Sequence, residues 1–301
     1  MNKGPVYYLK AASQKIGRRI WPRYKRKNVT LFRYTTALGD ALFLTTLARE
    51  VKKRNPRAYV HVITGLPMIF DRNPDVDKVS REPNEKTPGL GRFLVRYEHK
   101  FPWQGKHLLE HCKEVVDIRD EIEHRTYIFP SAEDHQWAED LVREIGEAPI
   151  LINRVAGPRT DKKNWPNEYW EKLVPELLKI APVVEIGTQY PSPLPKAPRF
   201  TDLVKKTSLH QTAALMKRSR LLICPVTGTL HLAAAYDLPT LCILGGSEPA
   251  YATGYPNTHY IENRPPCADC YEQGPCGFEF RCLVEIDPQR VLMKVKELTI
   301  Y

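Results

Sequence analysis

Leu221-Leu222-Ile223-Cys224-Pro225-Val226-Thr227-Gly228-Thr229-Leu230-His231-Leu232-Ala233-Ala234-Ala235-Tyr236-Asp237-Leu238-Pro239-Thr240-Leu241-Cys242-Ile243-Leu244-Gly245-Gly246 is the stretch that decides the fold. Leu221 to Cys224 has the unbroken apolar run of a strand buried on both faces. The run breaks at Pro225 to Gly228, and Leu230 to Tyr236 predicts a short alanine-rich helix. Asp237-Leu238-Pro239 stops that helix, and Thr240 to Leu244 predicts a second buried strand. The unit is βαβ, with a Thr-Gly turn where the helix starts. Backbone N–H groups and the helix dipole favour an anion at such a turn. Thr227 can add a hydroxyl, Gly228 allows close backbone approach, and His231 lies one turn further on. Any α/β protein contains turns of this kind, so the rest of the chain must agree.

A second unit opens the N-terminal half. Val29 to Tyr34 predicts a strand, Thr35-Thr36-Ala37-Leu38-Gly39-Asp40 a turn, Ala41 to Arg54 a helix and Tyr59 to Thr64 the next strand. The loop lies at the carboxyl end of its strand, where open α/β sheets bind ligands. Asp40 is either an acid placed to suit the helix dipole or a carboxylate aimed into a cleft as a general base. Further on, residues 73–79 and 93–97 predict short strands and His107 to Val116 a helix. Glu98, His99 and His111 lie near the same side, and a solvated or structural role suits each. Residues 125–130 form a strand-like connector. A helix follows over 131–145, with Ser131 as N-cap and Asp134 three residues later. Residues 149–153 begin a new sheet. Arg159-Thr160-Asp161-Lys162-Lys163-Asn164-Trp165-Pro166 precedes a helix from Asn167, and Val183 to Gly187 is another buried strand ending in glycine.

These segments resemble glycosyltransferase family 9, the heptosyltransferases. The likeness rests on three segments: Thr227 to Thr240 followed by Leu244-Gly245-Gly246-Ser247-Glu248-Pro249, the Gly39-Asp40 loop after the first strand, and Lys163 two residues before Trp165-Pro166. The resemblance implies an α/β fold of two Rossmann-like domains facing across a cleft (GT-B). It implies an acceptor-side domain over 29–148 and a nucleotide-sugar domain over 149–301. It also implies an inverting transfer of heptose or a related sugar to a lipopolysaccharide-type or other glycan acceptor. Asp40 matches the base that activates the acceptor hydroxyl, with Thr36 and Gly39 in its loop. Lys163 matches the lysine near the donor phosphates. Thr160, Gly187, Val226, Thr227, Gly228 and His231 fall on the donor side, the nucleoside near Gly187. The donor implied is ADP-heptose or a related nucleotide sugar, with no catalytic divalent metal. At Val226 the family usually carries an aspartate, and Pro225 stands where asparagine is common. A donor contact is therefore lost, and weak affinity for ADP-heptose is expected. The same fold with a protein or nucleic-acid acceptor, or a non-catalytic nucleic-acid-binding protein, are the alternatives; Asp40 and Lys163 argue against the last.

Cys267, Cys270, Cys276 and Cys282 have the spacing C-x2-C-x5-C-x5-C, suited to one structural zinc or iron ion, to reduced thiols or to two disulfides. Seven cysteines, an odd number, argue for a reducing compartment. The chain has 301 residues and a formal charge of +10, yet residues 1–28 hold nine Lys or Arg and no acid. Basicity thus belongs to an N-terminal arm. Leu9, Ala12, Ile16 and Ile20 give that arm an apolar stripe. An anionic membrane surface, the protein's own surface or nucleic acid are its possible contacts. No apolar run reaches the roughly 18 residues of a membrane span, and no secretory signal is evident. A cytoplasmic protein, at most peripheral on the inner membrane face, is the expectation.

Overall fold

The structure, a computed structural model, describes residues 22–33, 35–81, 92–95, 100–101, 103–157, 162–189, 192–271 and 275–299. The expected arm up to residue 21, Glu98, His99 and Thr160 lie outside the described residues. The end of the arm is folded on the protein: a 3-10 turn at Arg23–Lys25 places Tyr24 N–H on the Val116 carbonyl at 3.2 Å. Asn55 Nδ2 in turn donates to the carbonyls of Tyr24 and Arg26.

The first half comprises β1 (Asn28–Arg33), α1 (Leu38–Arg54), β2 (Tyr59–Thr64), β3 (Lys78–Ser80), β4 (Arg92–Leu94) and α2 (Leu108–Glu114). Then come α3 (Ala132–Ile145), β5 (Ile150–Ile152), α4 (Asn167–Leu178), β6 (Val183–Glu185), β7 (Phe200–Asp202) and α5 (Leu209–Met216). The chain closes with β8 (Leu221–Cys224), α6 (Gly228–Ala233), β9 (Thr240–Leu244), α7 (Ala250–Thr253), β10 (Thr258–Glu262), α8 (Arg281–Val284) and α9 (Pro288–Thr299). The strands form two sheets, ordered β3-β2-β1-β4 and β10-β9-β8-β5-β6-β7. Every pairing is parallel. Parallel strands are covered on both faces, and the all-buried runs of β8 and β9 follow from that.

Each sheet has one place where the chain reverses its direction of travel: between β1 and β4, and between β5 and β8. Such switch points open a crevice at the carboxyl ends of the strands. The loop 35–37 leaves β1 at the first, and Val226-Thr227 leaves β8 at the second. The two crevices face each other because α1 packs on α6. Helix α1 is accordingly buried nearly all round, with Gly39, the run Ala41 to Ala48, Glu50 and Val51 all enclosed. One apolar cluster runs without a break from β1 and α1 into α5, α6 and β9. The expected cleft is therefore narrow at α1 and α6, where the halves touch.

The connector 125–130 forms no strand, contrary to its strand-like sequence. It is spent instead on holding the halves together. Thr46 Oγ1 donates to the Arg125 carbonyl at 2.5 Å, and Tyr127 N–H donates to Thr45 Oγ1 at 2.9 Å. From the same segment Thr126 Oγ1 reaches the His231 carbonyl at 2.6 Å, and Arg125 pairs with Asp237 at 2.9 Å. Helix α3 has the expected capping box between Ser131 and Asp134. It packs on α5 of the second sheet, with Arg218 paired to Glu139. Helix α3 thus packs against an element of the second sheet's half.

Candidate functional site

In the first half β1 delivers Arg33 to the switch point. Its Nη1 donates to the Val95 carbonyl at 2.8 Å, bridging the ends of β1 and β4, and its Nη2 donates to Asp40 Oδ2 at 2.7 Å. Helix α1 starts at Leu38, earlier than expected, so Asp40 lies inside its first turn, where the dipole favours a carboxylate. Thr35 caps the turn, accepting from Ala37 N–H at 3.0 Å with its hydroxyl 3.4 Å from Asp40 Oδ2. Arg33 is 5% exposed and Asp40 20%, so the pair sits at the edge of solvent. Thr36 is exposed beside it.

In the second half Asn153, just past β5, gathers the strand ends. Its Nδ2 donates to Thr229 Oγ1 at 3.1 Å, and its Oδ1 accepts from Val155 N–H at 3.1 Å. Gly187, just past β6, has φ +136°, a conformation glycine allows, and a Cβ there would sit 3.4 Å from Asn153 Oδ1. Thr227 is the N-cap of α6, and its side chain makes no capping hydrogen bond. Val226 is 6% exposed and belongs to the apolar core, so it offers a ligand little surface.

Lys163 Nζ meets Glu248 Oε1 at 2.5 Å, tying the loop before α4 to the loop after β9. Glu248 Oε2 is buried with no hydrogen-bond partner among the described residues. Close packing holds these loops together: a Cβ on Gly245 would lie 2.6 Å from the Lys162 carbonyl. The cysteine loop rests on the same glycines, with Asp269 N–H donating to the Gly246 carbonyl at 2.6 Å. Next to Cys270, Tyr271 packs its ring 5.4 Å from Phe101 and 5.0 Å from Trp103, so this loop also reaches the first half.

The two halves meet at two glycines. A Cβ on Gly39 would lie 2.4 Å from His231 Cδ2, and one on Gly228 would lie 2.6 Å from Leu38 Cβ. No side chain fits at either point, which is why both loops carry glycine. His231 is buried in this junction. Its Nδ1 is 2.7 Å from Tyr255 Oη, and Phe43 packs edge-on 5.1 Å from its ring. Burial pushes the imidazole down to about 4, with Asp40 opposing the shift and Lys163 adding to it. The carboxylate of one sheet and the lysine of the other thus act on one neutral histidine.

The structure therefore brings Asp40, Gly39, Gly228, His231 and Lys163 to one place, with Thr227 and Gly187 along the adjoining strand ends. Arg33, Asn153, Glu248 and Tyr255 belong there too, though sequence did not single them out. Asn153 and Arg33 carried a signal, since both are polar residues at the ends of buried strands.

The four clustered cysteines are free thiols. Burial raises the Cys282 thiol, and the nearness of Cys270, Cys276 and Cys267 adds to the shift, so the four share one neighbourhood. Among the described residues no group of three or more His, Cys, Asp or Glu is set to hold a metal ion. Two of the sulfurs have local contacts: Cys276 Sγ accepts from Phe280 N–H at 3.4 Å, and Cys282 lies under Gly246. The expected closed ligand set is not formed by these side chains as they stand.

Two parallel α/β sheets meeting at their switch points make a GT-B fold. Residues 131–274, from the N-cap of α3 into the cysteine loop, match the model of glycosyltransferase family 9 (heptosyltransferase). Lipopolysaccharide heptosyltransferase 1 of Escherichia coli K12 is 24% identical over 165 residues, 53% of this chain and 46% of that protein. The chain so spans about half the length of that curated relative. E. coli ADP-heptose LPS heptosyltransferase II superimposes with a TM-score of 0.68 at 15% identity, over 90% of this chain and 98% of that one. The iron-containing dodecameric glycosyltransferase TibC of enterotoxigenic E. coli gives 0.68 at 16% identity, over 91% and 76%.

Proposed function

We propose that this protein is an inverting glycosyltransferase that moves heptose or a related sugar from a nucleotide diphosphate to a hydroxyl of a glycan or lipid-linked acceptor. One observation carries this reading: Asp40 and Lys163, from opposite halves, both lie near enough to the junction for their charges to act on the His231 ring, where Gly39 packs on that ring. A binding module needs no such pairing of a base with a phosphate-side cation. Asp40 takes the proton of the acceptor hydroxyl as its oxygen attacks the anomeric carbon. The bond from that carbon to the diphosphate oxygen breaks, and Lys163 meets the charge that develops on the leaving group. Glu248 fixes the Lys163 ammonium in place. Thr227 and the backbone at Gly228 face the same diphosphate.

The nucleoside suits the second half. A cavity of about 480 Å³ adjoins the Lys163 loop, lined among others by Val155, Asn164, Trp165, Gln189 and Leu283. That size lies within the range of about 300–1,000 Å³ of small-ligand sites. TibC has been solved in complex with ADP-D-β-D-heptose, which makes ADP-heptose the first donor to try. The described cysteines form no disulfide with one another, which suits a reducing compartment, and among the described residues no helix is long and apolar enough to cross a membrane.

Calorimetry with ADP, ADP-heptose and other sugar nucleotides tests the reading. A sugar nucleotide that binds, with transfer to an acceptor lost in Asp40→Asn, is the expected result. No binding of any nucleotide diphosphate would remove it.

A further inference from the structure

His231 is held in one orientation by groups that the chemistry described above does not use. Tyr255 stands on the turn between α7 and β10, where its N–H donates to Thr258 Oγ1 at 3.2 Å and its carbonyl accepts from Thr258 N–H at 2.9 Å. It is 5% exposed. Its hydroxyl meets His231 Nδ1 at 2.7 Å, and this is the hydrogen bond that Oη makes among the described residues. Burial raises the phenol well above its ordinary value, so Tyr255 keeps its proton. If Nδ1 were protonated and donated to Oη, the phenolic proton would be left buried with no acceptor, which is costly. The arrangement that satisfies both groups has Tyr255 donating to an unprotonated Nδ1. A neutral imidazole then carries its proton on Nε2.

The Nε2 edge has a defined neighbour. The Cδ2–Nε2 side of the ring lies on the backbone of Gly39, where a Cβ would come within 2.8 Å of Nε2. Asp40 is the next residue, and its charge acts on the ring, as does that of Lys163. Phe43 and Tyr255 pack edge-on against the ring at 5.1 and 5.6 Å. Thr126 fixes the His231 backbone through its carbonyl.

We propose that Tyr255 is a positioning residue that locks His231 in its Nε2–H form and aims that N–H at the junction of the Gly39-Asp40 loop with the Lys163 side. On the transferase reading, from which this consequence follows, the N–H is a neutral hydrogen-bond donor for a substrate oxygen held between Asp40 and Lys163. A neutral donor there adds no cation beside Asp40 and leaves it able to accept a proton. Nothing in the primary sequence links Tyr255 to His231, since they lie on separate elements.

Histidine-ring 15N labelling of the full chain tests this without substrate. Near pH 7, long-range 1H–15N spectra should show His231 protonated on Nε2 and not on Nδ1, its signals assigned by their loss in His231→Gln. Tyr255→Phe keeps the ring but removes the donor. It should shift His231 to a mixture of tautomers and lower kcat by about tenfold while leaving the Kd for ADP unchanged. Protonation on Nδ1 in the unmodified protein would overturn the proposal, and so would an unchanged tautomer in Tyr255→Phe. The first measurement needs no variant at Tyr255, so poor folding of that variant does not shelter the proposal. A protein with the expected tautomer that transfers no sugar supports the Tyr255–His231 assignment and overturns the transferase reading.

Discussion

Asp40 shows how much one side chain depends on its neighbours. Arg33 and Thr35 hold it at the rim of the first sheet's crevice, and His231 closes the space behind it. Asp40→Asn keeps the volume and the hydrogen bonds to these partners but removes the proton acceptor. Turnover should fall on the order of 10²–10⁴-fold with donor affinity unchanged, as read by initial rates and calorimetry. Normal turnover would place the base elsewhere. Gly39 is set by contact and not by backbone angle: Gly39→Ala drives a methyl into the His231 ring. Overpacking of this kind costs about 1–3 kcal/mol, so urea unfolding should show a lower midpoint with an unchanged slope. Val226 was legible as a departure from the family pattern, but its burial in the core was not.

At the scale of elements, the signals that carried furthest were local. Ser131 and Asp134 announce the start of α3, and the structure has the full capping box. Ser131→Ala removes it and should cost about 0.5–2 kcal/mol in chemical denaturation. No change would mean that packing on α5 alone holds the helix. The cysteine loop is the contrary case. Its spacing suits a metal, yet two of its sulfurs lie against Gly246 and the Phe280 N–H, and among the described residues the four form no ligand set. Uptake of one ion per chain would require the four thiols to draw together. Elemental analysis of protein purified without added metal decides between the two. One equivalent of zinc or iron would support the site, and a metal-free folded protein would retire it.

For the whole molecule the contact between the halves is the dominant fact. It buries His231 at one end, while His107 stacks on His124 at 4.3 Å nearby. Burial lowers both His107 and His231 below the ordinary histidine value, His231 to about 4. In the unfolded chain they titrate near 6.5. Between these values the unfolded state binds more protons, so stability falls as pH drops from about 6.5 towards 4, at about 1.4 kcal/mol per unit for each group. Above about 6.5 this contribution is fully present. Unfolding by urea at a series of pH values should show that slope, and His231→Gln should flatten part of it. A flat profile across this window would mean that the histidines are not buried as described.

Much of this molecule is written locally. Continuous apolar runs identified β8 and β9, because a parallel strand is covered on both faces and tolerates little else. Period-3.6 patterns and cap residues located α1, α3 and α4, since helices are stabilised by contacts three and four residues apart. Asp40, Lys163 and the Thr227-Gly228 turn were legible because strand ends and loop motifs are short-range features. What sequence could not show is how the two sheets meet. The connector was read as strand-like, yet its donors and acceptors go to Thr45, Thr46 and His231, partners far away along the chain. Strand β10, left unread, exists because β9 offered it a parallel edge. The burial of His231 between Tyr255 and Gly39 was likewise not visible in the sequence. Periodicity constrains neighbours in sequence; only the docking of α1 on α6 brought these residues within hydrogen-bonding distance.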